Sequence, residues 1–121
     1  MDMTLTLKTT AAITAFAVAL TPAAALAHHG WSGYSETPQQ TTGVIRAVQF
    51  ANPHATIQLE AQGRNWLVVL APPSRMTSRG LPQGSLKVGD TVTVEGYAHR
   101  SDQGEMRAEW ISLSGTQTPL R

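Results

Sequence analysis

Four histidines, His28, His29, His54 and His99, are the side chains best equipped for chemistry in this 121-residue chain. Neutral imidazole is a strong ligand for transition metals. Two of the four are adjacent and follow Ala25-Leu26-Ala27, a run of small residues of the kind a signal peptidase reads. Cleavage after Ala27 would make His28 the first residue and place a free α-amine on a histidine. The amine and one imidazole nitrogen of His28 then form a bidentate pair, and His54 or His29 supplies a third nitrogen. Nitrogen-only coordination favours Cu(II), with zinc as the rival. Copper displaces the proton of an amine whose unperturbed pKa is near 8. The set is chemically similar to the histidine brace of copper enzymes and carriers. A plainer reading stands beside it. His28 and His29 are then a polar terminus, whose side chains point to opposite sides of an extended arm, and His54 bonds to its own loop backbone.

The compartment follows from the leader. Lys8 precedes the apolar run of residues 11–20, Pro22 breaks it, and small residues close it. Residues 1–27 therefore read as a secretory signal peptide, too short and too interrupted to remain as a membrane anchor. The expected location is the periplasm or the outside of a bacterial cell. The remaining chain of about 94 residues suffices for one small domain. With no cysteine, disulfides, thiolate metal sites and a cysteine nucleophile are excluded, so the core alone must hold the fold. The formal charge is +1, without a basic run, which gives no electrostatic case for nucleic-acid binding.

The elements that would position the histidines are strands. Residues 28–41, rich in Gly, Ser, Gln and Pro, read as a flexible arm pinned by Trp31 and Tyr34. Strands are expected over 42–50, 54–60, 66–71, 91–98 and 106–113 from their alternation or continuous apolar character. In the first, Val44, Ala47 or Val48, and Phe50 alternate imperfectly, and Gly43 permits a bend or bulge; in the last, Met106, Ala108 and Trp110 share one side. A short helix is expected over 74–79, stopped by Gly80. In the following loop Leu86 and Val88 are apolar pegs. Residues 115–121 read as a loose tail, so the barrel domain covers 42–114. Five strands with a helix between the third and fourth match an all-β Greek-key barrel of the OB-fold kind. In that fold the connections carrying His54 and His99 lie at the ligand-binding end. An arm of about 14 residues at ~3.3 Å each reaches the same place.

At these residues the chain resembles the DUF6152 family, small exported bacterial proteins of unknown function. The resemblance lies in His28-His29, Gly43, Asn52-Pro53-His54, Trp66, Arg79-Gly80, Leu86-Lys87-Val88-Gly89-Asp90 and Arg100. Its specificity comes from the ordered set, which spans nearly all of residues 28–113. Tyr97-Ala98-His99 departs from the family pattern, so His99 is not carried over. The resemblance implies an exported, barrel-like protein and no particular activity.

No other constellation argues for catalysis. The carboxylates show no acid/base spacing, no Gly-x-Ser-x-Gly elbow is present, and Gly80–Gly84 lacks the lysine of a phosphate loop. Trp66 belongs to the core. Trp31, Tyr34 and Trp110 are candidate contacts for a ligand or a periplasmic partner protein. The expectation is a non-catalytic binding protein: a copper carrier using His28, His54 and His29, or a metal-free module using the barrel face.

Overall fold

The computed structural model describes residues 32–121. The expected leader, His28, His29 and Trp31 lie outside the described residues. The elements are β1 (Tyr34–Gln49), β2 (Thr56–Ala61), β3 (Arg64–Val69), α1 (Pro73–Ser78), β4 (Thr91–His99), β5 (Glu105–Leu113) and β6 (Thr116–Pro119).

The sheet order is β3-β2-β1-β4-β5-β6, and a further parallel pairing of β3 with β5 closes it. Five strands thus form the ring β1-β2-β3-β5-β4, the OB-like arrangement expected from the element order. The inward residues are buried and apolar: Ile45, Ile57, Leu59, Val68, Val92, Val94, Met106 and Ile111 are at most 1% exposed. Trp66 joins them in the core, and the Arg64 guanidinium covers its ring at 4.4 Å. Pro73 starts α1 with its ring-fixed φ, and the helix buries Met76 against the core. Among the described residues no helix is long and apolar enough to cross a membrane.

Four expectations are corrected. First, residues 34–41 are not a free arm. They form the first half of β1, whose residues Pro38 to Val44 pair with Tyr97 to Thr91 of β4. This half is mostly polar because the pairing satisfies backbone groups and buries little side-chain surface. Second, the tail is not loose. Ser114 and Gly115, at φ 51° and 80°, make a two-residue hairpin turn. It lays β6 against β5, with Leu113 opposite Thr116, and Leu120 is fully buried.

Third, a register shift between Glu95 and Gly96 puts Trp110 opposite Glu95 and Ala108 opposite Gly96. That bulge takes Trp110 off the face of Met106 and Ala108, and Ile111 fills the interior instead. Gly96 is required there, because a Cβ would overlap the Arg107 carbonyl oxygen. A similar shift between Ile45 and Ala47 goes with Ile45, rather than Val44, being the apolar side chain that β1 buries in the core. Fourth, Leu86 is a buried peg, whereas Val88 is 64% exposed.

Candidate functional site

The described start of the chain is fastened to the end of β4. The Arg100 amide donates to the Gly33 carbonyl at 2.7 Å, and the Arg100 Nε donates to the Tyr34 carbonyl at 2.7 Å. Tyr34 lies opposite His99 in the ladder. The two rings meet edge to face, 5.0 Å between centroids. The Tyr34 hydroxyl donates to Glu105 Oε2 at 2.5 Å. The Asp102 amide donates to His99 Nδ1 at 2.9 Å, which leaves the ring proton on Nε2, 3.9 Å from Glu105 Oε2. Burial, and then the hydrogen bond to Glu105, push the Tyr34 phenol well above its ordinary value.

Beside this group opens a cleft of about 430 Å³ lined by Ser32, Tyr34, Ser35, Glu36, Tyr97, Arg100 and Glu109. Two phenol rings stand there with one guanidinium and two carboxylates. Trp110, expected among the contacts, is not in its lining. Its Nε1 donates to Glu95 Oε2 at 2.9 Å, and Gln40 donates to the other oxygen of the same carboxylate at 3.3 Å.

His54 lies elsewhere on the barrel, in the β1–β2 connection after a cis Asn52–Pro53 bond. It lines a hollow of about 320 Å³ with Gln49, Ala51, Asn52, Pro53, Thr56 and Val69. Burial pushes its imidazole below the ordinary value, and the charges of Arg107, Arg121 and Arg75 act in the same direction. The imidazole is therefore neutral at pH 7 with a lone pair to offer. The field that repels a proton repels a dication more strongly. Arg121 is itself pushed down to about 10, by burial first and by Arg107 second. Among the described residues no three His, Asp or Glu side chains gather closely enough to hold a metal ion. His54 and His99 belong to separate groups.

The sequence reading missed Tyr97, Arg100 and Glu109 in the cleft, and the arginines around His54. Tyr97 and Arg107 sit on outward positions of alternating strands, a legible signal for exposure but not for neighbours.

A search of curated proteins finds no match to this chain. A model of the family of unknown function DUF6152 matches residues 15–107, most of the chain, and the chain therefore belongs to the DUF6152 family.

Proposed function

We propose that the protein is an exported, non-catalytic binding module that holds a small polar ligand in the cleft between Tyr34 and Tyr97. The observation that carries this reading is the cleft itself. Its volume of about 430 Å³ falls within the range of small-molecule sites, ~300–1,000 Å³. Aromatic faces beside opposite charges suit a ligand that stacks and hydrogen-bonds. A partner protein is the alternative occupant. The test is saturation-transfer NMR of the mature protein with panels of oligosaccharides and short peptides, repeated with Tyr97→Ala. Binding that the variant loses supports the cleft. Absence of binding, or binding indifferent to Tyr97→Ala, removes it.

A second reading keeps copper, with the α-amine and imidazole of His28 and a nitrogen from His54 or His29 as ligands, and zinc as the rival metal. The neutral imidazole of His54 favours it; the three guanidinium groups work against it. The test uses protein with its native N-terminus. Intact mass establishes the first residue, and Cu(II) titration with paramagnetic resonance is repeated on His28→Ala and His54→Ala. One tight, nitrogen-ligated copper lost in both variants supports this reading. Weak binding indifferent to His54 ends it.

A further inference from the structure

Two breaks in the sheet flank the cleft between Tyr34 and Tyr97. On β5, Trp110 stands opposite Glu95 and Ala108 opposite Gly96, so Glu109 is the extra residue of the bulge. Its carbonyl accepts the Leu120 amide at 2.8 Å, which holds the backbone that carries it. On β1 the register shifts between Tyr34 and Pro38, the stretch that carries Glu36. A bulge re-aims the side chains it carries, and bulges are over-represented beside functional sites. Here Glu36 and Glu109 both line the cleft, together with Arg100.

Arg100 is set for a carboxylate. Its amide and its Nε donate to the Gly33 and Tyr34 carbonyls, each at 2.7 Å. The guanidinium is planar, and with Nε engaged the outer edge formed by Nη1 and Nη2 remains as a fork for two parallel bonds. Its other partner among the described residues is Glu36, whose Oε1 lies 3.9 Å from Nη2 and whose side chain is 94% exposed. That distance is too long for a hydrogen bond, and solvent screens the pair. An incoming carboxylate makes two charge-assisted bonds on the same edge and displaces Glu36.

Glu109 supplies the opposite charge. The charges of Arg107 and Arg121 act on it, but among the described residues none donates a hydrogen bond to its carboxylate. Tyrosine faces attract an ammonium group as well, and they pack against an aromatic ring. A guanidinium, a carboxylate and two phenol rings in one cleft match a molecule that carries a carboxylate, an ammonium and an aromatic ring.

We infer that the cleft takes a free α-amino acid with an aromatic side chain, its carboxylate on the outer edge of Arg100, its ammonium on Glu109 and its ring against Tyr97 and Tyr34. This inference rests on the cleft reading and names the ligand class.

The experiment is a calorimetric titration of the mature protein with L-phenylalanine, N-acetyl-L-phenylalanine and L-phenylalaninamide, at about pH 6.5, where a free α-amine is protonated. The last two probes each lack one of the two charges. Saturable binding of phenylalanine is expected, with each derivative weaker by at least roughly tenfold. Arg100→Gln should erase the discrimination against the amide and keep that against the acetyl derivative. Glu109→Gln should do the reverse. A cleft that is merely loosened weakens all three probes alike and leaves both ratios unchanged. Glu36→Gln should not weaken phenylalanine, because it removes a competitor for Arg100. Arg46→Gln, on an exposed arginine paired with Glu60, should change nothing. A derivative that binds as well as phenylalanine, or ratios that survive both Arg100→Gln and Glu109→Gln, overturns the assignment. Oligosaccharide binding that Tyr97→Ala abolishes, with no binding of phenylalanine, overturns it too and leaves the cleft reading standing. If neither phenylalanine nor any member of the oligosaccharide and peptide panels binds, both fall.

Discussion

The Tyr34 hydroxyl meets the Glu105 carboxylate at 2.5 Å across 71 residues of chain. That bond pins the start of β1 to the start of β5, over the end of β4. It also sets one wall of the cleft, because Tyr34 lines it. Hydrogen bonds to charged groups contribute about 1.5–3 kcal/mol when buried, and less where solvent reaches them. Tyr34→Phe should therefore lower stability by about 1–2 kcal/mol in urea unfolding at pH 7.

The same residue predicts an alkaline limb. The folded-state pKa of Tyr34 is raised above the ordinary phenol value of 10.0. The folded protein then holds the phenolic proton that the unfolded chain releases. This contribution is fully present below pH 10 and is lost as pH rises through the folded value. Unfolding curves between pH 8 and 12 should show the loss in the parent and a flatter profile in Tyr34→Phe.

His54 predicts an acidic limb of opposite origin. Its folded value lies below the ordinary 6.5, through burial first and the neighbouring arginines second. Below pH 6.5 the unfolded chain takes up a proton that the folded protein resists. Stability is full above 6.5 and is lost as pH falls through the folded value. His54→Gln should flatten the thermal midpoint against pH between 7.5 and 5. Arg107→Gln should move the His54 titration upward when the ring is followed by NMR. An unmoved titration would mean that the charges do not reach the ring.

Gly96 sits where a Cβ would overlap the Arg107 carbonyl. The β4–β5 pairing cannot open without loosening the ring, so Gly96→Ala should cost ~1–3 kcal/mol. At this size that lowers Tm by roughly 4–8 °C per kcal/mol. Differential scanning calorimetry would read it directly.

Leu120 and Val88 form a contrasting pair. Leu120 is fully buried, whereas Val88 is 64% exposed. Leu120→Ala should cost about 2–5 kcal/mol, and Val88→Ala should stay within about 0.5 kcal/mol. Equal effects in denaturant unfolding would contradict the packing described for the C-terminal segment.

The site was less legible than the fold. Tyr34 was readable as a pinning point, because an aromatic in a polar stretch needs somewhere to pack. Trp110 was misplaced because a bulge shifts the phase of alternation, and the inserted residue leaves no apolar signature. The arginines around His54 come from residues 75, 107 and 121, whose proximity depends on closure of β3 against β5.

By itself the sequence determined the elements whose side chains alternate between core and solvent. The ladders of β2 and β4, the continuous apolar β3 with Trp66, and the helix started by Pro73 all follow from it. Burial of one face must be written in residue type, and the order of those elements sufficed for the ring. Only the tertiary structure decided that residues 34–41 belong to β1 and that residues 116–119 form β6. Those segments join the sheet through backbone hydrogen bonds, which any residue except proline can make from both sides, so their sequence carries little mark of it. That the charges of Arg75, Arg107 and Arg121 reach His54 was likewise decided by the fold. Electrostatic neighbours are set by distance in space, and distance along the chain carries no information about them once the barrel closes.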